Sequence, residues 1–178
     1  MRFVSPACFA LSVIASSALA QAPTERKPGA EEKRIAFFAG RWSYEGETKP
    51  GPMGPGGKSK GTETCEWFAG GFQLVCRSQG TGPMGAVKGQ SVMAYDPAEK
   101  TYTYYAHNNL GQAFFVRGNV SGQVWTWPSE MKMEGKVMNI RVTITELSPT
   151  STSFKLEGST DGGATWTLME EAKGTKMK

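Results

Sequence analysis

Beyond Gly40 the sequence shows no further helical hydrophobic period. It breaks instead into short runs rich in Thr, Val, Tyr, Trp and Phe, separated by Gly, Pro, Asn and Asp. β-Branched and aromatic residues suit a pleated, half-buried surface, and the separating residues supply turn conformations, so each run reads as a strand. The spacing predicts strands over 41–48, 58–68, 72–80, 87–96, 101–107, 112–119, 123–128, 136–147, 152–158 and 164–172. Turns fall at Asp96-Pro97, Asn108-Asn109, Ser121-Gly122, Pro149-Thr150 and Asp161-Gly162-Gly163. Met138, Ile140, Val142 and Ile144 alternate with Asn139, Arg141, Thr143 and Thr145, which predicts one dry and one wet face.

Strands of this length joined by tight turns imply an all-β fold. The expectation is an up-and-down antiparallel β-barrel of about ten strands, with a β-sandwich as the alternative. Closure removes exposed sheet edges. A barrel of more than about eight strands is not easily filled by its own side chains, so a ligand cavity becomes available. One short helix precedes the strands: Glu31 and Glu32 open it, Lys33 and Arg34 follow, and Gly40 closes it. Ile35 and Phe38 share one face of it, suited to plugging an end of the barrel.

The first 20 residues read as a secretory signal: basic Arg2, the apolar run Ala7–Ile14, and a cleavage site at Ala18-Leu19-Ala20. Cys8 lies too early for lipoprotein processing, and no second hydrophobic stretch of that kind follows. The chain is therefore expected to be exported, periplasmic or secreted, after cleavage near Ala20. Residues 21–28 read as a flexible leader and 29–178 as a single domain. The formal net charge of +4 is mild, and it falls by one when Arg2 leaves. Lys33-Arg34 and Lys58/Lys60 are the densest basic spots, and neither makes an arginine-rich stripe, so no nucleic-acid partner is expected.

Cys65 and Cys76 remain after Cys8 is removed, and they flank Gly70-Gly71. A two-residue hairpin turn at those glycines sets Ala69 opposite Phe72 and Cys65 opposite Cys76. A cross-strand disulfide fits that register and an oxidising compartment, and is favoured over two buried thiols. The two-residue turn makes them a hydrogen-bonded pair, the less comfortable geometry for a bridge, unless a bulge or shifted register intervenes.

Several chemistry-bearing motifs fail on context. Gly80-Thr-Gly82-Pro-Met-Gly85 fits a dinucleotide pattern, yet a strand follows it where a helix N-terminus is needed. Gly57-Lys58-Ser59 resembles the end of a phosphate loop, but Pro52 replaces the required glycine. Ser159-Thr-Asp161-Gly-Gly163-Ala-Thr165-Trp166 matches the Asp-box hairpin of propellers and, occurring once, reads as a turn device. Gly-Pro-Met-Gly at 51–54 and 82–85 reads as two turns at one end of the barrel. Met131, Met133 and Met138 read as packing rather than a Cu(I) site. His107 is the single histidine, which nearly excludes multi-His metal centres. A rim position is the plain reading for it, and ligand contact or axial haem ligation the functional one. No metal or cofactor is expected.

Aromatic residues occur on most strands, with adjacent pairs at Tyr104-Tyr105 and Phe114-Phe115. An inward excess with a few polar groups would describe a pocket for an amphipathic molecule. The candidate lining is Trp42, Tyr44, Tyr104, His107, Phe115, Trp125 and Arg141. An all-core aromatic set with an outer interface is the competing pattern.

From Phe37 to the C-terminus the chain resembles the bacterial domain-of-unknown-function family 1579. The residues that carry the resemblance include Gly40-x-Trp42 with Gly46, Lys60-Gly-Thr-Glu63, Gly70-Gly71, Tyr95-Asp96-Pro97, Trp125, Pro149-Thr-Ser151 and Asp161-Gly-Gly163 with Trp166. The resemblance implies export and a lipocalin-like barrel whose early Trp packs across a closed end. It implies no catalytic residues. The expected function is an exported binding barrel for a small hydrophobic or amphipathic ligand, without enzymatic activity. The alternatives are a cell-envelope interaction or structural protein with a filled barrel, and a haem protein or small enzyme using His107.

Overall fold

The computed structural model describes residues 26–51, 54–133 and 135–178, without the Met133 side chain. The expected signal peptide and most of the leader lie outside the described residues. Helix α1 (Ala30–Arg34) runs into a 3-10 turn (Ile35–Phe38). Ten strands follow: β1 (Gly40–Thr48), β2 (Gly57–Trp67), β3 (Gln73–Gly82), β4 (Gly85–Asp96), β5 (Thr101–Asn108), β6 (Ala113–Ser121), β7 (Val124–Met133), β8 (Lys136–Ser148), β9 (Ser151–Ser159) and β10 (Thr167–Lys176). Each pairs antiparallel with its neighbours in sequence, and β1 pairs with β10, so the meander closes into the all-β barrel the sequence implies.

Period-2 alternation assigns one residue in two to the interior. The inward set includes Trp42 and Tyr44 on β1, Glu63 and Cys65 on β2, and Leu74 and Cys76 on β3, matched across the ladders. It continues through Met93, Tyr102 and Tyr104, then Trp125 and Trp127, to the even positions of β8.

The helical segment closes one end. Ile35 and Phe38 are buried among Trp42, Trp125, Leu74 and Met93. Trp42 Nε1 donates to Phe38 O at 2.9 Å, and the Phe38 ring lies 5.1 Å from that of Trp125. Polar groups at this end are all engaged. Trp125 Nε1 donates to Glu146 at 2.6 Å, Arg34 pairs with the same carboxylate at 2.6 Å, and Tyr102 Oη donates to Glu31 at 2.8 Å. Glu32 accepts from Gly29 N at 2.9 Å, capping the helix, and pairs with Arg26.

The disulfide joins Cys65 to Cys76 in the expected register, with Cα atoms 4.0 Å apart. The turn differs from expectation. Phe68 N donates to Gln73 O, so the loop holds four residues, Ala69 to Phe72, rather than two. That shifts the hydrogen-bond phase by one position and makes Cys65/Cys76 a non-hydrogen-bonded pair, the closer-spaced kind that suits a bridge. No shift in register is needed.

Two strand ends also depart from the sequence reading. Strand β7 continues past Pro128 to Met133, and β10 begins at Thr167 and runs to Lys176. Residues 164–166 belong instead to the Asp161 turn, where Asp161 accepts from Thr165 N at 2.9 Å and Trp166 Nε1 donates to Gly163 O at 3.0 Å. The Thr165 hydroxyl, the Thr165 N–H and the Ser159 hydroxyl, all donating to it, hold the Asp161 carboxyl well below the usual carboxylate range.

Pro128 explains why β7 continues while its pairing with β6 does not. Strands β6 and β7 share three pairs, Asn119/Thr126, Val120/Trp125 and Ser121/Val124, all near the helix end. Gly122-Gln123 makes a two-residue turn, so Ser121/Val124 and Asn119/Thr126 are hydrogen-bonded pairs and Arg117/Pro128 would come next. Pro128 has no N–H for Arg117, and the ladder ends there. Against β8 the same residue needs no donor, and that pairing runs on to Met133/Lys136.

Candidate functional site

The interior changes character along its axis. At the helix end Trp42, Trp125, Leu74 and Ile35 are completely buried. Halfway up, Tyr44, Glu63, Ser78, Tyr104, Val116, Val142, Phe154 and Leu156 all point inward and yet are only half-buried. Side chains aimed at the barrel axis thus stay partly accessible in the middle of the barrel, between the packed end and a second buried cluster of Met138, Ile140 and Met169 toward the far mouth.

Glycines shape this half. A Cβ on Gly61 would stand 2.8 Å from Gln79 O, and one on Gly80 2.6 Å from Lys60 O, so the β2–β3 wall bends where the two face each other. The inner face of β1–β4 there is largely Gly and Ser, opposite an apolar wall of Val116, Val142, Phe154 and Leu156. The barrel wall also carries two open depressions of about 470 and 480 Å³. They are lined mainly by outward residues such as Lys60, Gln79, Lys155 and Glu171, although the first also reaches Tyr44, Gly61 and Gly80 and the second Phe154.

Glu63 is the polar feature of the interior. Tyr44 Oη donates to its Oε2 at 3.4 Å, a long bond, and no described cationic side chain pairs with it. Burial raises its pKa, and the Tyr44 hydrogen bond opposes that shift. Burial first, then the Glu63 charge, raises the Tyr44 pKa. Tyr104 is pushed up to about 12 by burial and the same carboxylate, with the Ser91 hydroxyl opposing. Both phenols are therefore neutral hydrogen-bonding groups. Glu63 also lies close to the two cysteine sulfurs. Those sulfurs are bonded to each other and offer no thiolate, so the group is not a metal site.

The seven residues singled out in the sequence separate into three places. Tyr44 and Tyr104 face the open interior. Trp42 and Trp125 face inward but belong to the packed end. His107, Phe115 and Arg141 point outward. His107 is exposed beside Tyr105, ring centroids 5.9 Å apart. Phe115 is 52% exposed under Arg117. Arg141 pairs with Glu157 at 2.9 Å and stacks on Trp166 at 4.1 Å. Met131 and Met138 pack with Ile140, Met169 and Leu156. Glu63 was missed because a lone glutamate in a polar run reads as surface. The available signal was its spacing from Cys65: two residues apart on one strand, they share a face.

The sequence profile of a protein family of unknown function, DUF1579, matches residues 27–174. The chain belongs to DUF1579. Among solved structures, this DUF1579 protein is similar to Rv2717c from M. tuberculosis. The two share 12% identity over 84% of this chain and 99% of the other, with a TM-score of 0.58. It is also similar to the S-type phycobiliprotein lyase CPES from Guillardia theta, at 11% identity, 83% and 93% coverage and a TM-score of 0.53. At such identity the likeness is one of fold. No curated protein matches the chain.

Proposed function

We propose that this protein is an exported barrel that holds a small amphipathic molecule in the far half of its interior. The observation that carries the reading is the set of inward side chains left half-buried around Tyr44, Glu63 and Tyr104. An apolar cavity with a few convergent polar groups is the usual form of a small-molecule site. Likeness of fold to a phycobiliprotein lyase adds no ligand, since one fold hosts many functions.

Export is supported by the signal-like residues 1–20, with 21–28 as leader and 29–178 as the domain, and by the disulfide, which persists in oxidising compartments. No helix among the described residues is long and apolar enough to cross a membrane. An outer-face interaction role is the second reading. Tyr105 and Phe115 form a cross-strand pair, 45% and 52% exposed, with His107 and Arg117 beside them. The haem and enzyme readings needed an enclosed slot around His107, and its exposure gives them no support.

The test is native mass spectrometry of the protein purified from periplasm, with solvent extraction. A discrete added mass removed by extraction is expected. A clean apo mass, together with no binding of added amphiphiles, would shift the function to the outer face.

A further inference from the structure

The register of the barrel fixes which charged residues can reach its interior. Beyond the packed helix end, Glu63 on β2 and Glu170 on β10 are the inward acids among the described residues, each with its pKa raised by burial. Inward cations lie elsewhere. Lys176 is turned to the closed end, its Nζ 3.2 Å from Phe37 O and over the Trp42 ring at 5.2 Å. Arg34 is held by Glu146 at that same end. Lys136 stands exposed at the rim, where β8 begins. Among the described residues the middle of the interior thus carries acid alone, with Lys176 and Arg34 held at the closed end and Lys136 at the rim.

The surroundings of Glu63 suit a cation further. The Tyr44 and Tyr104 side chains stand beside the same carboxylate, and aromatic rings attract a desolvated ammonium. Tyr104 is within an aromatic cluster, 5.8 Å from Trp127 and 6.0 Å from Phe114. From there the wall is apolar, through Val116, Val142 and Leu156. A half-buried carboxylate lacking a protein cation is stabilised most by a ligand that brings one.

We propose that the interior site is selective for amphipathic amines, the ammonium against Glu63 and the alkyl part along Val116, Val142 and Leu156. This deepens the interior-binding reading and rests on it.

The test is a titration at neutral pH, below micelle concentrations, followed by tryptophan fluorescence, with dodecylamine, dodecanol and dodecanoate as probes. Dodecylamine is expected to bind at least tenfold more tightly than either of the others. Glu63→Gln keeps shape and volume, and should cut dodecylamine affinity at least tenfold while leaving dodecanol within twofold. Equal affinities, or dodecanoate the tightest, would overturn amine selectivity while leaving the interior-binding reading intact. Selectivity unchanged in Glu63→Gln but lost in Glu170→Gln would overturn the assignment to Glu63. No binding of any probe would overturn both readings. The wild-type ranking needs no variant, so a folding defect in Glu63→Gln leaves the selectivity test standing.

Discussion

The two ends of this barrel are built from the same strands and treat their interiors in opposite ways. At the helix end, large aromatics fill the bore and a helical segment covers it. At the far end, glycine and serine take one inner wall, the β6–β7 ladder has stopped at Pro128, and Phe114, though inward-facing, is 49% exposed. The difference teaches that closure and filling are separate problems. Backbone pairing closes the ring along its whole circumference, but a ten-stranded ring is too wide for side chains alone. Concentrating Trp42, Trp125, Trp127, Phe38 and Tyr102 at one end stabilises the fold there, while Met138, Ile140 and Met169 form only a second, smaller cluster toward the other.

Substitutions at matched positions test that contrast. Trp125→Ala removes a fully buried ring and leaves Glu146 short of a donor. It is expected to cost about 3–5 kcal/mol in urea unfolding. Phe114→Ala at the open end should stay within about 0.5 kcal/mol; comparable losses would erase the distinction. Replacing both Cys65 and Cys76 by Ser should lower stability by about 2–3 kcal/mol, since the loop they close is short. Gly118 lies under the Trp127 ring, and an added Cβ would collide with Cε3 of that ring and with the Thr126 carbonyl. Gly118→Ala is therefore expected to cost about 1–3 kcal/mol and to alter Trp127 fluorescence.

Pro128→Ala sharpens the comparison in the other direction. It restores the missing donor, and should add about 0.5–1.5 kcal/mol and give an amide at position 128 that is protected from exchange. Fast exchange of that new amide would show that something besides the missing N–H ends the ladder. The smallest expected effect is electrostatic. The folded pKa of Glu63 is raised, so the folded state binds more protons than the unfolded chain between the ordinary carboxylate value and the raised one. Stability from this group therefore falls as pH rises through that window. Glu63→Gln should accordingly stabilise the unliganded protein at neutral pH relative to wild type, with the gap closing in acid. A stability gap independent of pH would show that Glu63 does not titrate in this way.

Much of the fold was legible from local chemistry. The run of Met138, Ile140, Val142 and Ile144 declared its dry face, and Asp161 with Gly163 declared its turn. The Cys65/Cys76 register followed from counting back from Gly70-Gly71, even though the loop proved two residues longer. The site was less legible. At Tyr104-Tyr105 and Phe114-Phe115, adjacent aromatics satisfy either phase of the alternation, so neither pair says which member faces in. Phe115 and Arg141 were placed inside by residue type alone. Their strands put odd positions outward.

The sequence by itself determined the strand count, the antiparallel meander, the helix before it and the disulfide pairing, because each depends on contacts between near neighbours in the chain. Only the tertiary structure decided which face of each strand turns inward, that large aromatics gather at one end and a smaller methionine cluster toward the other, and that Glu63 stands inside without a cationic partner among the described residues. Those properties arise from register accumulated across ten strands and from closure of β1 on β10, positions more than 120 residues apart such as Trp42 and Lys176. No local pattern carries that information.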